Sequence, residues 1–298
     1  MTAALLLLLQ AAAPAQVSGR VVRLQDGDSL AAAGARVVLH RVGPGAEGPL
    51  DSLRADADGR FSFRVRVALD TSDVLLVSAR WHGIEHFGPP VVAGRQARVV
   101  VTDTSSTATV RVAARHIVIG GPAADGARDV VDLLVLSNAS GFTRVGRDTT
   151  EPSWLMLLPP RVANLTVGDA DFARETFDRH GDTLLLAAPI PPGDRQFFLQ
   201  YQLAPGARSL DVPMDPEADT VSVLAEEPNL ELGPGLALRG TEMVAGRSFT
   251  RWSGSGTTDI AVGLPGNRAM PGWLLPALIV ALGLPLLWVT RLAFTRRR

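Results

Sequence analysis

Residues 61–67 read Phe61-Ser62-Phe63-Arg64-Val65-Arg66-Val67, a strict alternation of apolar and polar side chains. Successive side chains of a β-strand point to opposite faces, so this pattern predicts a strand with one face in a core and the other in water. Comparable patterns recur at intervals of roughly 8 to 12 residues, separated by Gly, Pro, Asp and Asn. The sequence therefore predicts an all-β protein with two β-sandwich domains, followed by one C-terminal transmembrane helix.

The domain boundaries are predicted from the places where these patterns change. We expect a signal peptide at 1–15, a first β-sandwich at 16–105, a second β-rich domain at 106–268, a transmembrane helix at 269–290 and a basic tail at 291–298. The clearest strands of the first domain are predicted at Val17–Leu24, Ala35–Arg41, Arg60–Val67, Val74–Trp81 and Ala97–Thr102. Those of the second are predicted at Thr109–Ile119, Val130–Leu136, Leu184–Ala188, Phe197–Leu203 and Thr220–Leu224, with an edge or terminating strand in 154–160.

Both ends of the chain carry membrane-addressing patterns. The apolar run Leu5–Leu9 precedes Ala13-Pro14-Ala15, which fits the small-x-small site of an export signal, although the only positive charge ahead of the run is the terminal amine. The alternative is an apolar, disordered N-terminus. From Ala269 to Thr290 there are 22 residues without a charge (290 − 269 + 1), which as a helix would span about 33 Å, enough to cross a bilayer.

The flanks of the uncharged run predict its orientation. Trp273 and Trp288 lie near its two ends, where aromatic side chains prefer the headgroup level, and the last eight residues carry four arginines. The positive-inside rule then places the C-terminus in the cytoplasm and the body outside, in the periplasm or at the cell surface. We interpret Trp273–Thr290 as an anchor; a sorting tail that is cut and re-attached is the alternative.

Composition excludes several classes of function. The chain has no cysteine, which rules out disulfides, thiol nucleophiles and cysteine metal sites. All 29 basic residues are arginine, which with the abundant Ala, Gly and Pro indicates a GC-rich, bacterial genome. From 106 to 270 there are 14 arginines against 20 acids, a net charge of −6. This acidic body argues against a nucleic-acid partner.

Three ordered elements in the first domain carry a family resemblance. They are Val17-Ser18-Gly19-Arg20-Val21, Gly34-Ala35-Arg36-Val37-Val38-Leu39 and Asp56-Ala57-Asp58-Gly59-Arg60-Phe61-Ser62-Phe63. In this order they resemble the carboxypeptidase regulatory-like domain, a seven-stranded, transthyretin-like sandwich, over about 17–101. The resemblance implies a non-catalytic domain outside the cytoplasm with a binding or folding-support role.

One motif raises the possibility of an enzyme. His82-Gly83-Ile84-Glu85-His86 matches H-x-x-E-H, the zinc-protease pattern in which two histidines bind the metal and the glutamate activates its water. The pattern requires a helix, whereas a strand-like run precedes it and Gly88-Pro89-Pro90 follows. We therefore predict polar positions at a hairpin. The alternative is a zinc site at His82, Glu85 and His86, completed by His40, His116 or His180.

Other polar groups are assigned to turns and surfaces. Asp56-Ala57-Asp58-Gly59 is predicted to be a turn rather than a calcium loop, because the calcium pattern needs an acid at the position of Arg54 and a glutamate at that of Val65. Asp26-Gly27-Asp28 is also predicted to be a turn. A set of acids is predicted to form a solvated loop face, with a weak cation site or a cationic partner as the alternative: Asp215, Glu217, Asp219, Glu226, Glu227 and Glu231. Trp81, Phe87 and Trp154 are candidates for exposed aromatic contacts.

Together these features predict a non-enzymatic binding or accessory module of the cell envelope, without a cofactor. Its partner would be an envelope protein or a glycan, and Trp273–Thr290 would hold it in the membrane. One alternative is a zinc-dependent hydrolase that uses the His82/Glu85/His86 cluster. A second alternative is a component that transmits a signal or a load through the membrane helix.

Overall fold

A computed structural model of the chain describes residues 16–265, apart from 26–27, 45–46, 71, 93, 149 and 245. Within these residues the protein is nearly all β: strands make up 61% and no helix reaches seven residues, which confirms the predicted all-β class. A single 3-10 turn, Arg174–Thr176, is the one helical element in this part of the chain. The chain divides into two compact units between Thr104 and Ser105, within the short strand β9 (Thr104–Ser105).

Unit one contains two four-stranded sheets. Its strands are β1 Gln16–Gln25, β2 Asp28–Ala31, β3 Arg36–Val42, β4 Gly48–Arg54, β5 Arg60–Arg64, β6 Val74–Trp81, β7 Ile84–Phe87 and β8 Ala97–Val101. In the first sheet, β1 is flanked by β2 and β5 on one side and by the parallel β8 on the other. The second sheet has the order β4-β3-β6-β7 and is antiparallel throughout.

Apolar side chains on the inward faces of both sheets of unit one form a single core. In β5 the predicted alternation is present, since Phe61 and Phe63 are buried while Ser62 and Arg64 are exposed. The predicted end of this strand at Val67 is wrong. The ladder with β1 stops at the pair Gln16–Arg64, and Val67 beyond it is 44% exposed.

Gly19 is required by the close approach of β1 and β8. A Cβ atom at this position would lie 2.0 Å from the carbonyl oxygen of Ala97 and 2.6 Å from Cζ of Phe61. Gly19 and Ala97 are register partners in the parallel pair, so the contact is with backbone that the ladder holds in place. Glycine is thus required at this position by the close packing of β1 and β8, and not by a turn.

Unit two is built on a nine-stranded sheet. Its strands are β10 Arg111–Ile119, β11 Arg128–Asn138, β12 Thr143–Arg144, β13 Trp154–Leu157, β14 Ala163–Ala170, β15 Phe177–His180, β16 Thr183–Leu186, β17 Gly193–Leu203, β18 Ser209–Ala225, β19 Glu231–Leu232, β20 Ala237–Val244, β21 Arg247–Gly254 and β22 Thr257–Gly263. The order across the large sheet is β14-β17-β11-β10-β18-β21-β20, and β22 pairs with both β18 and β19. A three-stranded sheet has the order β13-β16-β15. The residues of β13 lie at its edge, as the prolines after them predict.

The central strands of the large sheet have apolar clusters on both faces. Its inner face and the three-stranded sheet contribute to one large core. On the opposite face a smaller apolar cluster contains Val118, Val131, Leu133, Phe198, Leu224 and Phe249. The inner face also holds a charged pair, Arg115 and Asp132, whose side chains are 3% and 0% exposed. Burial of a charge is costly unless it is paired, so loss of either member alone should destabilise unit two.

The strands that the sequence patterns missed are mostly polar or interrupted. Strand β4 contains Pro49 at a sheet edge, and β20 is exposed at almost every position. Strands without an alternating apolar face have no periodic signal, which is why β2, β4 and β20 were not predicted. By contrast, β6 was predicted with the bounds that the structure has, Val74–Trp81.

Several predictions fall on residues outside the described part of the chain. These are the signal peptide at 1–15, the last three residues of the second domain, the helix at 269–290 with Trp273 and Trp288, and the tail at 291–298. Within the described residues, no helix is long and apolar enough to span a membrane.

Candidate functional site

The H-x-x-E-H motif lies on the β6–β7 hairpin of unit one. His82 and Gly83 form its two-residue turn, with φ angles of 46° and 83°. Two positive φ values are the requirement of a type I′ hairpin turn, and glycine at the second position makes that conformation accessible. The motif is therefore on a hairpin and not on a helix, so the i, i+4 geometry of a helical zinc site is absent here.

The hairpin places the three motif residues in different surroundings. Nε2 of His82 lies 3.3 Å from Oδ1 of Asp103. The carboxylate of Glu85 accepts a hydrogen bond from the hydroxyl of Ser78. His86 points into unit one, where it is 9% exposed and its Nε2 atom has no hydrogen-bond partner among the described residues.

The remaining histidines do not complete a metal site with this motif in the described structure. His40 lies on the neighbouring strand β3 and binds Ser78, while His116 and His180 belong to unit two. His180 is paired with Asp178, its Nε2 atom lying 3.0 Å from Oδ2. Among the residues that the structure describes, no group of three or more His, Asp or Glu is placed to hold a metal ion.

A hydrogen-bonded chain instead links His40, Ser78 and Glu85. The Oγ atom of Ser78 lies 2.7 Å from Nε2 of His40 and donates to Glu85. A serine hydroxyl has one proton, and an ionised carboxylate can only accept, so His40 must donate to Ser78 through Nε2–H. This polarity is the reverse of that in a serine nucleophile, whose proton is taken by the histidine. Ser78 is also fully buried. The chain is therefore structural.

Phe87 covers this polar chain and faces solvent. It is the register partner of Ser78, it is 61% exposed, and its ring centroid lies 5.5 Å from that of His40. We call His40, Ser78, Glu85 and Phe87 the hairpin face. It presents an aromatic ring and an exposed carboxylate whose positions are set by hydrogen bonds and strand register, which is a preorganised contact surface.

A second polar cluster lies at the tip of the same hairpin. Asp103 accepts hydrogen bonds from Nε1 of Trp81 at 2.8 Å and from Nη1 of Arg23 at 3.2 Å, in addition to its contact with His82. The rings of Trp81 and His82 meet edge to face at 4.9 Å. Trp81 is partly buried and packs against the core, so its role is to fix the hairpin rather than to offer an open aromatic contact.

Burial of His86 makes the stability of unit one depend on pH. Burial lowers the pKa of His86 below its usual 6.5, and the nearby Glu85 opposes this only in part. The unfolded chain therefore takes up a proton near the ordinary pKa of histidine while the folded chain does not. Stability from this group is present above about pH 6.5 and is lost as the pH falls below it.

We therefore expect unit one to unfold more easily at pH 5 than at pH 7, and His86→Leu to reduce that difference. Urea unfolding of both proteins at the two pH values measures the effect. His180→Leu is the control, because His180 is largely exposed and should leave the difference unchanged. An equal pH dependence in wild type and His86→Leu would contradict the assignment.

The Asp56 segment is a turn, as predicted. Oδ1 of Asp56 accepts hydrogen bonds from the backbone N–H groups of Asp58 at 2.9 Å and Arg60 at 2.7 Å, and Gly59 has a φ of 75°. The Asp56 carboxylate therefore stabilises the turn through hydrogen bonds with backbone N–H groups. Of the similar stretch Asp26-Gly27-Asp28, only Asp28 lies within the described residues, at the start of β2.

The predicted acidic loop face is only partly correct, because Asp215, Glu217, Asp219 and Glu231 are exposed but lie on strands. Three of its members, Asp215, Glu217 and Asp219, lie within the 17-residue strand β18. Arginines pair with three of the six acids: Arg111 binds Asp219 at 2.6 Å, Arg247 binds Glu226 at 2.8 Å and Arg128 binds Glu227 at 3.1 Å. The acids were grouped because they are close in sequence, but their partners come from other strands.

The aromatic candidates divide clearly. Phe87 is exposed, whereas Trp154 is 8% exposed and packs edge to face on Phe197 in the core of unit two. Sequence reasoning missed Ser78, which organises the hairpin face. The one available signal was a polar residue inside the otherwise apolar run 74–79.

Comparison with known proteins does not assign a family to the chain or a function to the hairpin face. No protein-family model matches the chain, and a search of curated proteins found no significant match.

Proposed function

We propose that the chain is a membrane-anchored, extracytoplasmic protein that acts as a non-enzymatic binding or accessory module of the cell envelope. The location rests on the terminal sequence patterns: an export-type start, the uncharged run from Ala269 to Thr290, and the arginines that follow it. An envelope protein or a glycan is the expected partner.

Each unit is proposed to be a β-sandwich. In unit one, two sheets share a core, and in unit two, the nine-stranded and three-stranded sheets share another. Membership of unit one in the carboxypeptidase regulatory-like class is part of the proposal. It is supported by the three ordered motifs and by the packing role of Gly19.

The hairpin face is the proposed binding surface, and the exposed Phe87 is the observation that carries it. Aromatic side chains supply much of the energy at protein interfaces, and Phe87, at 61%, is the most exposed phenylalanine among the described residues. The ring of His40 packs beside Phe87, and Glu85 adds an exposed carboxylate on the same face. A binding role agrees with this set better than catalysis, because Ser78 is buried and its hydroxyl donates a hydrogen bond to Glu85.

Cross-linked purification tests the proposal. The tagged full-length protein is isolated from its native membrane beside a version that ends at Met270. We expect a stoichiometric envelope partner with the full-length chain and a weaker or lost partner without residues 271–298. Recovery of the full-length chain from the cytoplasm, without a membrane or envelope partner, would contradict the proposed location and role.

A further inference from the structure

Strand β20 of unit two is an exposed edge strand. It ends the nine-stranded sheet and, in the described part of the chain, pairs with β21 alone. Seven of its eight residues are exposed. Leu238 and Met243, at 63% and 69%, are the most exposed large apolar side chains among the described residues. The free side of such a strand presents unpaired N–H and C=O groups that can template another strand.

A β-bulge sets the side-chain directions in β20. The register pairs Leu238 with Trp252 and then Gly240 with Arg251, so Arg239 is an extra residue between them. Arg239 and Gly240 together therefore occupy the place of one residue in a regular ladder. A bulge of this kind changes which side chains share a face on its two sides.

Both exposed apolar side chains lie on one face as a result. Leu238 lies opposite Trp252, whose side chain belongs to the large core. Met243 lies opposite Ser248, which is four residues from Trp252 and so on the same face of β21. Thr241 lies between them on this face. Leu238, Thr241 and Met243 form one row.

The charged side chains lie on the other face. Glu242 is the register partner of Phe249, which belongs to the opposite apolar cluster. The Nε atom of Arg239 donates to Oγ of Ser253 at 2.8 Å, and Ser253 is on the Phe249 face because it is four residues away. Arg239 and Glu242 thus flank the strand centre on one side of the sheet.

We propose that β20 pairs antiparallel with β20 of a second copy of this chain, about a two-fold axis through Thr241. In that arrangement Thr241 lies opposite its own copy, Met243 opposite Leu238, and Glu242 opposite the bulge that carries Arg239. Each opposed pair shares a face, which antiparallel pairing requires. The sheet would continue across the axis as an isologous contact.

Charge complementarity favours a second copy over an unrelated strand. A lone charge on an edge strand normally opposes edge pairing. Here the arginine of each copy meets the glutamate of the other, at both ends of the contact. Glu242 already binds Arg251 at 2.7 Å, but a carboxylate has enough acceptor sites for a second guanidinium. One strand pair is a small interface, so the dimer should depend on protein concentration.

Cysteine substitution gives a direct test because the chain has no cysteine of its own. The full-length protein with Thr241→Cys should form a disulfide-linked dimer under mild oxidation, since opposed Cα atoms of antiparallel strands lie about 4.5–5.5 Å apart, within the range of a disulfide. Ser52→Cys, on the exposed edge strand β4 of unit one, is the matched control for random collision. Equal cross-linking rates for the two variants would overturn the proposal.

Charge reversal tests the same contact without a new covalent bond. Sedimentation velocity of the full-length protein should show a monomer–dimer equilibrium, and Arg239→Glu should weaken it about tenfold or more, because like charges would then face each other. Arg80→Glu, at an exposed strand arginine of unit one, should have no effect. A wild-type monomer at 200 µM, or equal weakening by both variants, would refute the pairing. The hairpin-face proposal concerns unit one and does not depend on this result.

Discussion

Asp132→Ala is expected to destabilise unit two by about 3–5 kcal/mol, the usual cost of leaving one member of a buried ion pair without its partner. Asp132 is completely buried and binds Arg115 through both carboxylate oxygens, with Nε–Oδ1 at 3.0 Å and Nη2–Oδ2 at 2.6 Å. Alanine would leave the guanidinium in the core with the carbonyl of Pro213, at 2.7 Å from Nη1, as its nearest compensating acceptor. Urea unfolding measures the loss.

Two further variants separate this explanation from a general loss of packing. Asp219→Ala removes a carboxylate from the exposed pair with Arg111, and it should cost less than about 1 kcal/mol. The double variant Arg115→Met/Asp132→Leu removes both charges and should recover most of the stability lost in Asp132→Ala. If Asp132→Ala cost no more than Asp219→Ala, the buried pair would not be a determinant of the fold.

Gly19→Ala is expected to have the second largest effect, a loss of about 3 kcal/mol in unit one or failure of that unit to fold. The new methyl group would lie 2.0 Å from the carbonyl oxygen of Ala97, which is backbone in the adjacent parallel strand and cannot turn aside as a side chain can. To relieve the contact, β8 must separate from β1, and Val99 and Val101 of β8 would leave the core with it.

Gly141→Ala is the control that separates the clash at Gly19 from a general effect of replacing glycine by alanine. Gly141 has no atom within 4 Å of a built Cβ and lacks a positive φ angle, so Gly141→Ala should change stability by less than about 0.5 kcal/mol. Thermal unfolding followed by circular dichroism compares the two. A Gly19→Ala protein as stable as Gly141→Ala would mean that β1 and β8 are not in contact at this point.

Local patterns were sufficient for the strands whose two faces differ. The alternation in 61–64 predicted β5 because burial on one face leaves a period of two in the sequence, whereas β6 was predicted from its nearly continuous apolar run in 74–81. Strands exposed on both faces leave no such period, and β20 is the clearest example. The 17-residue β18 was predicted only as Thr220–Leu224, because acids and prolines occupy its first part.

Pairings between strands were beyond the reach of sequence patterns. Asp132 is visible as an acid inside the apolar run 130–136, but nothing in the sequence indicates that Arg115 neutralises it from the neighbouring strand. The contacts of the candidate site also depend on strand pairings that the sequence does not give. The motif residues His82, Glu85 and His86 are close in sequence, yet His82 contacts Asp103, Glu85 accepts from Ser78 and His86 is buried without a hydrogen-bond partner among the described residues. Ser78 becomes important only when β3, β6 and β7 are side by side.

The most direct test of the central proposal compares two surface phenylalanines. Full-length Phe87→Ser and Phe142→Ser proteins are purified from the native membrane after cross-linking, beside the wild type. Both rings are exposed, at 61% and 47%, but only Phe87 belongs to the hairpin face. We predict that a stoichiometric partner is recovered with the wild type and with Phe142→Ser, and that Phe87→Ser reduces its recovery about tenfold or more. Equal recovery with both variants, or no partner with any of the three proteins, would contradict a binding role for this face.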